Sequence, residues 1–254
     1  MADGRTRFHL DGQDVFHYGP ATNAPVTVLP ERAVIPVSDQ IPLDLAALIG
    51  CAVATGVGAI RNTARVRVGD SVAVIGCGGV GVSAVHGADL AGAYPIIAAD
   101  VVTEKFPSLL AMGATHVVDA RSPDAVEQIR DISSGGVDHA VLTTSAKPGF
   151  DTAVRSLGIH GTCVLIAGYP DGATVSFDPG VLLSGERRIV ASKYGSSNPS
   201  IDFPDLVDLY LAGRLRLEEM VSQRWSAAAM DDAYDALRSG TQNRGLIVFD
   251  NVTA

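Results

Sequence analysis

The sequence predicts an α/β protein with a doubly wound parallel sheet. A strand-like run, a glycine-rich loop, a helical pattern and a second strand-like run follow one another between Ser71 and Asp100. From there to about residue 192, apolar runs of strand length alternate with helical patterns, as is typical of parallel sheets covered by helices. The 254 residues are 47% hydrophobic and 19% charged, which is the composition of a globular protein.

The segment 71–100 has the order of a nucleotide-binding unit. The apolar run Val72–Ile75 leads into the loop Gly76–Gly81, whose letters GCGGVG match the pattern G-x-G-x-x-G. A small-residue helical pattern then reaches about Leu90, and a second apolar run ends on Asp100, 24 residues after the first glycine. A glycine pattern alone is weak evidence. Its place between a strand and a helix, with an acid at the next strand end, predicts a dinucleotide site.

Each part of this unit has a mechanical purpose. Gly76 permits the sharp turn, Gly78 lets a pyrophosphate approach the backbone, and Gly81 lets the helix pack closely on the strand. The free N–H groups at the helix start favour phosphate binding. Asp100 is expected to accept hydrogen bonds from the adenosine ribose, which favours NAD over NADP because a 2′-phosphate would meet a like charge. The alternatives are a plain glycine turn and a solvated acid at the strand end.

Further elements are predicted on both sides of this unit. Strands are predicted at 113–118, 137–143, 161–167, 188–192 and 245–249. Helices are predicted at 43–63, 103–112, 123–132, 149–157, 179–184, 204–212 and 230–237. The first 40 residues are broken by prolines and contain no complete βαβ unit, and short strands are predicted there at 26–28 and 33–35.

The bulk composition argues against several classes of partner. Lys and Arg number 19 against 28 Asp and Glu, and the net charge of −9 disfavours nucleic acid and anionic membranes. The sequence has no continuous run of 18 apolar residues and begins with a polar stretch, so neither a membrane span nor a signal peptide is expected. Three widely spaced cysteines predict a cytoplasmic protein without a disulfide framework.

These segments together resemble the zinc-type alcohol dehydrogenases of the medium-chain dehydrogenase superfamily, over nearly the whole chain. The matching pieces are 48–51 (LIGC), 55–59 (TGVGA), 68–74 (VGDSVAV), 76–81 (GCGGVG), Asp100 with Lys105, 112–115 (MGAT), 136–138 (GVD), 183–185 (LSG) and Arg244 ahead of 247–249 (IVF). The resemblance implies a Rossmann sheet with a remnant of a β-rich, GroES-like catalytic domain. Residues 1–42 would be the remnant and 43–192 the NAD-binding Rossmann domain. Residues 193–254 would complete the Rossmann sheet and return to the remnant.

The resemblance also implies hydride transfer between NAD and an alcohol or aldehyde. Thr55 matches a residue that contacts the nicotinamide and is the catalytic candidate, while Cys51 matches one ligand of the catalytic zinc. Asp100 and Lys105 match ribose contacts, and Arg244 matches a pyrophosphate contact. The full set of implied cofactor-binding positions is Gly76, Gly78, Gly79, Val80, Gly81, Asp100, Lys105, Thr143, Ala167, Gly168, Tyr169 and Arg244.

The departures from the family pattern concern the zinc. The family's first zinc cysteine, its zinc histidine and its four-cysteine structural site cannot be mapped onto this sequence. A catalytic zinc needs three protein ligands, whereas this chain offers Cys51, so we expect that the chain does not retain the metal. The alternative for Cys51 is a buried small apolar residue. Cys77 and Cys163 are expected to be core or loop residues, and Leu142 stands where many relatives carry an acid.

Three hypotheses for the function remain open. The chain is the cofactor half of an NAD-dependent alcohol dehydrogenase, or a stand-alone NAD-binding module without chemistry, or a zinc-free reductase of the same superfamily. The last is the weakest, because such enzymes also need the substrate domain. The family implies a homo-oligomer, a dimer or larger, that forms through an edge strand at 187–192. Apolar surface around residues 43–49 is expected to be exposed and to favour association.

Overall fold

A six-stranded parallel sheet forms the centre of the molecule. The structure, a computed structural model, describes residues 8–15, 24–240 and 242–249. The strands of the sheet are β3 (Val72–Ile75), β4 (Ile96–Asp100), β5 (His116–Asp119), β6 (Val137–Leu142), β7 (Leu157–Leu165) and β8 (Arg188–Ala191). Two smaller sheets lie outside it: the antiparallel pair β1 (Phe8–Leu10) and β2 (Gln13–Val15), and the parallel pair β9 (Val221–Ser226) and β10 (Arg244–Val248).

The order of the strands in the large sheet reverses next to β3. The order is β5-β4-β3-β6-β7-β8, so the chain moves outward from β3 and then returns to β6 on the other side of β3. Such a reversal leaves a crevice beyond the carboxyl ends of the two strands, where ligands bind in folds of this class. Ile75 of β3 is aligned with Ala99 of β4 and Leu142 of β6, so the residues that follow these strands emerge side by side.

Helices cover both faces of the sheet. They are α1 (Leu43–Ala64), α2 (Gly79–Ala91), α3 (Phe106–Ala111), α4 (Ala125–Ile132), α5 (Lys147–Arg155), α6 (Pro179–Leu183), α7 (Pro199–Leu211) and α8 (Met230–Arg238). Within α1, Ile49–Val53 and Ala59–Ala64 are π-helical. Because α1 packs closely on α2, a Cβ added at Gly56 would lie 2.5 Å from the Cβ of Ser83.

Alternate residues of a strand point to opposite faces, and this divides the core in two. Val72 and Val74 belong to the buried cluster that includes residues of α1, α2 and α7. Ala73 and Ile75 belong to the second cluster, which includes residues of α4 and α5. Strand β3 is therefore buried on both faces, as its uninterrupted apolar run predicts for a parallel sheet.

Helix α1 is the one candidate for a membrane span among the described residues. It has 22 residues and is long and apolar enough, by length and composition, to cross a bilayer. However, 61% of its most apolar window is buried inside the fold, against α2 and the sheet. A core helix of a folded protein has this same composition, so the helix is weak evidence for a span. Counting uninterrupted apolar residues does not detect it, because Gly and Thr interrupt the run.

The predicted fold class is confirmed, and the strands of the large sheet lie within a few residues of their predicted positions. Four predictions for single elements are wrong. Residues 26–28 and 33–35 are not strands, and Glu31–Ala33 instead forms a 3-10 turn. The helix expected to begin at Pro204 begins at Pro199, because the Asn198 side chain accepts the Ser200 N–H and caps it. The last strand does not complete the large sheet, because β10 pairs with β9 instead.

Candidate functional site

The glycine loop between β3 and α2 forms a tight turn. Gly76 has a φ of +89°, a left-handed conformation that glycine adopts without steric cost. A Cβ added at Gly81 would lie 2.0 Å from the carbonyl oxygen of Gly76, so helix and loop approach as closely as only glycine allows. Thr143, at the end of β6, donates its hydroxyl to the same carbonyl oxygen. The loop is thus held from both sides, as expected for a rigid backbone site.

Asp100 lies at the end of β4, beside the loop. Its side chain is 6% exposed. One carboxylate oxygen accepts the N–H of Cys77 at 2.5 Å, and the other accepts the N–H of Val102 at 2.8 Å. Since each carboxylate oxygen has two lone pairs, both retain capacity to accept a further hydrogen bond. Asp100 therefore fixes the loop and still offers acceptors to a bound group.

Arg244 comes from a distant part of the chain to the helix start. It begins β10, and its guanidinium lies over Gly79, where an added Cβ would meet its Cζ at 2.1 Å. Burial lowers the pKa of Arg244 somewhat, but a guanidinium keeps its charge in proteins. A positive group thus lies at the N-terminus of α2, where the helix dipole also favours an anion.

These groups line one cavity of about 970 Å³ beyond the carboxyl ends of the strands. The predicted residues brought together there are Gly76, Gly78, Gly79, Val80, Gly81, Asp100, Thr143 and Arg244. The space above Gly78 is open, because an added Cβ would meet no described atom within 4 Å. An open backbone, a helix start and a half-buried arginine form the donor set that a diphosphate requires. The residues therefore fit a dinucleotide cofactor.

Comparison with known proteins agrees with this geometry. The sequence profile of the family described as zinc-binding dehydrogenase matches residues 79–212. The NDMA-dependent alcohol dehydrogenase of Amycolatopsis methanolica is 35% identical over 98% of this chain and 68% of its own length. The S-(hydroxymethyl)glutathione dehydrogenase of Paracoccus denitrificans is 32% identical over 98% of this chain and 69% of its own length. The chain belongs to the zinc-binding dehydrogenase family.

Solved structures of this family share the fold. The alcohol dehydrogenase zinc-binding domain protein from Burkholderia ambifaria superimposes with a TM-score of 0.81 at 35% identity, over 84% of this chain and 57% of that one. The benzyl alcohol dehydrogenase from Acinetobacter calcoaceticus gives a TM-score of 0.82 at 31% identity, over 85% and 59%. The chain thus spans less than two thirds of these solved chains. The predicted resemblance to zinc-type alcohol dehydrogenases is confirmed.

The described residues near Cys51 offer few metal donors for a member of a zinc-binding family. Cys51 lies on α1 with an exposed side chain, so the alternative that it is a buried packing residue is wrong. No three His, Cys, Asp or Glu side chains among the described residues group together as metal ligands. A zinc site needs three such donors, so the donor set around Cys51 does not fit zinc. The other two thiols are buried, as expected, and burial raises the pKa of Cys163 to about 12.

Several predicted site residues lie outside the cavity lining. Thr55 is nearly buried within α1, and Lys105 is buried at the end of the 3-10 turn Thr103–Lys105, just before α3. The segment 167–169 follows β7, and the Tyr169 hydroxyl is buried without a hydrogen-bond partner among the described residues. Because these residues do not line the cavity, their cofactor roles and the catalytic role of Thr55 stay predictions.

Sequence reasoning missed the pair Asp119 and Arg121, which lies at the carboxyl end of β5. Arg121 lines the cavity, and Asp119 is aligned with Asp100 on the neighbouring strand. The signal was present in the sequence, because an acid and a base two residues apart follow a predicted strand at the same edge of the sheet. The place of the pair beside Asp100 depends on the pairing of β5 with β4, which the motif within residues 71–100 does not reveal.

Proposed function

We propose that this chain binds NAD in the cavity and belongs to an NAD-dependent oxidoreductase of the alcohol dehydrogenase type. In this proposal the chain carries mainly the cofactor half, and the hydride passes between NAD and an alcohol or aldehyde. The observation that carries the proposal is the convergence of the glycine loop, Asp100 and Arg244 on one cavity. They come from segments up to 168 residues apart in the chain, yet they meet at the strand reversal.

The diphosphate would bind at the start of α2. The first N–H groups of a helix have no partner within the helix, and they point toward a bound anion. Arg244 adds a fixed positive charge beside Gly79. Its partial burial strengthens the interaction, because a charge–charge attraction is screened less away from bulk water. Both donors face the open space above Gly78.

The adenosine ribose would bind at Asp100. A carboxylate accepts hydrogen bonds from the 2′- and 3′-hydroxyls of NAD, whereas the 2′-phosphate of NADP would face it with a like charge. Asp100 is nearly buried and is fixed by two backbone N–H groups, so it cannot easily turn away from a phosphate. This supports a preference for NAD.

The substrate class rests on the relatives. One relative is an NDMA-dependent alcohol dehydrogenase and another is an S-(hydroxymethyl)glutathione dehydrogenase. The solved relative from Acinetobacter calcoaceticus is a benzyl alcohol dehydrogenase. An alcohol or aldehyde is therefore the proposed substrate of the enzyme to which this chain belongs. Nucleic acid and membranes are not proposed as partners, and the cytoplasmic location expected from the cysteine pattern stays a prediction.

Isothermal titration calorimetry on the purified chain tests the cofactor proposal. NAD⁺ is expected to bind with one site per chain, and NADP⁺ more weakly. Asp100→Asn should narrow the difference between the two affinities, because the amide removes the charge that opposes the 2′-phosphate. Failure of NAD⁺ to bind would contradict the proposal. NADH formation with a panel of alcohols, together with the zinc content of the protein, tests whether the chain itself is active.

A second candidate is a stand-alone NAD-binding module or sensor. It is favoured by the donor set at Cys51, which lacks the further ligands that a catalytic zinc requires among the described residues. The two candidates predict the same cofactor binding and differ in the chemistry. A chain that binds NAD⁺ but forms no NADH with any alcohol, even with added zinc, would favour the module.

Self-association is the remaining part of the proposal. Strand β8 lies at the edge of the large sheet, which leaves one row of its backbone groups free to pair with a second copy. The expected apolar surface near residue 43 is smaller than predicted, because Leu45, Leu48 and Ile49 are buried and Leu43 is exposed. We therefore propose that the dimer forms through β8. Sedimentation at micromolar concentration should give at least a dimer, and a monomer would count against it.

A further inference from the structure

The carboxyl edge of the sheet holds a second acid beside Asp100. Asp119 ends β5 and is aligned with Asp100, and the N–H of Ala120 donates to the Asp100 carbonyl oxygen at 3.0 Å. One residue further, Arg121 lines the proposed cofactor cavity. A cation therefore lies two residues beyond the end of the strand that flanks Asp100, on the side of the cavity where a ribose would bind.

This cation is already engaged. The Arg121 Nε donates to one Asp119 oxygen at 3.0 Å, and its Nη2 donates to the other at 2.9 Å. The Arg121 backbone N–H donates to the first of these oxygens at 2.9 Å as well. The guanidinium holds the pKa of Asp119 below its usual value, so the carboxylate is charged at neutral pH. The pair has the two-pronged geometry that arginine also uses to bind phosphate.

We propose that Asp119 is a specificity-determining residue, because it binds Arg121 and so withholds this cation from a 2′-phosphate at the Asp100 end of the cavity. The inference rests on the proposed NAD site. Asp100 would then disfavour NADP by repulsion, and Asp119 would disfavour it by engaging Arg121, a cavity cation that could otherwise bind the phosphate. Both attraction and repulsion contribute to discrimination between two ligands.

Asp119→Asn tests the proposal with little disturbance of the turn. The amide oxygen still accepts the Arg121 backbone N–H, which shapes the turn, but the charge and the second oxygen that bind the guanidinium are gone. The ratio of the NADP⁺ to the NAD⁺ dissociation constant should fall about threefold to fivefold, as expected for the release of an exposed arginine. Glu104 also raises the pKa of Arg121, so the double variant with Glu104→Gln should lower the ratio at least as far.

A double-mutant cycle separates release of Arg121 from mere loss of negative charge. In an Arg121→Gln background, Asp119→Asn should leave the ratio of dissociation constants where Arg121→Gln alone puts it, because no arginine remains to be released. The control Asp151→Asn removes the same charge from the cavity wall and releases Arg155, its partner at 3.4 Å. Arg155 ends α5, about 12 Å along the helix from the carboxyl edge, so this control should lower the ratio less than Asp119→Asn.

Calorimetric titration of these variants with NAD⁺ and NADP⁺ decides the matter. A fall in the ratio that depends on Arg121 supports the role of Asp119. An unchanged ratio, or the same fall in the Arg121→Gln background, would overturn it while leaving NAD binding intact. Absence of NAD⁺ binding in the unmodified protein would instead overturn the proposed cofactor site itself, so the two failures are distinguishable.

Discussion

The loop cavity and the Cys51 segment of α1 lie close together but differ in how completely they are built. At the cavity, three distant residues contact the loop: Asp100 accepts from Cys77, Thr143 donates to Gly76, and Arg244 lies over Gly79. At Cys51 the described residues do not supply the three donors that a zinc site needs. The regions adjoin, since the segment Ile49–Val53 that holds Cys51 packs against α2, the helix that begins at the loop. A binding cavity can thus be complete where the adjoining chemistry is not.

The largest expected effect is at the loop glycines. Gly81→Ala would place a Cβ 2.0 Å from the Gly76 carbonyl oxygen and should lower the free energy of unfolding by about 3 kcal/mol or more. Gly78→Ala meets no described atom within 4 Å and should cost about 1 kcal/mol or less, while it weakens NAD⁺ binding. Urea unfolding and calorimetry measure the two effects. Equal losses of stability would mean that the loop is not packed as described.

The next effect is a pH dependence of stability that arises from His86 on α2. His86 on α2 is 1% exposed, and burial lowers its pKa from 6.5 to about 4. Above pH 6.5 the ring is neutral in both folded and unfolded chains. As pH falls from 6.5 to 4, only the unfolded chain takes up the proton, so the free energy of unfolding should fall by about 3 kcal/mol in total.

His86→Met removes the titrating ring and is the matched control for this pH dependence. Unfolding curves between pH 7 and 4 should show the loss in the unmodified chain and a smaller loss in the variant. Neither ring nitrogen has a hydrogen-bond partner among the described residues, so the apolar side chain should be tolerated. The same slope in both proteins would assign the pH dependence to other groups.

Arg244 should matter for the cofactor more than for the fold. Arg244→Gln is expected to weaken NAD⁺ binding about tenfold or more, because a charged hydrogen bond to phosphate is lost. Arg224 is the matched control, since it lies on the neighbouring strand β9 and binds Asp44 at 2.7 Å outside the cavity. Arg224→Gln should change NAD⁺ affinity far less. Comparable losses of NAD⁺ affinity in both variants would contradict a specific role of Arg244 in cofactor binding.

The smallest effect concerns the thiols. Cys51 is exposed, whereas Cys77 and Cys163 are buried and their pKa values are raised by burial. A thiol reagent at mildly alkaline pH should therefore modify one cysteine in the folded protein and three after denaturation. Cys51→Ser should abolish the fast reaction with little effect on stability. Fast reaction of a second thiol would show that the packing around β3 or β7 is looser than described.

The sequence predicts local features of the site better than features that depend on long-range contacts. The strand, loop, helix and acid of 71–100 are contiguous, so periodicity and the glycine spacing determine their arrangement before any long-range contact forms. The position of β10 was not predictable in this way, because its partner β9 depends on packing between distant segments. The residues Asp119 and Arg121 are visible in the sequence at the end of a predicted strand. Their relevance to the site appears only when β5 is known to lie beside Asp100.

The central claim is that NAD binds over the glycine loop, and hydrogen–deuterium exchange tests it most directly. With saturating NAD⁺, amide exchange should slow in peptides covering residues 76–82 and 244–248, because the diphosphate would bind between the loop and Arg244. Arg244→Gln should reduce that protection at subsaturating NAD⁺. Slowed exchange elsewhere, with the loop unchanged, would contradict the claim.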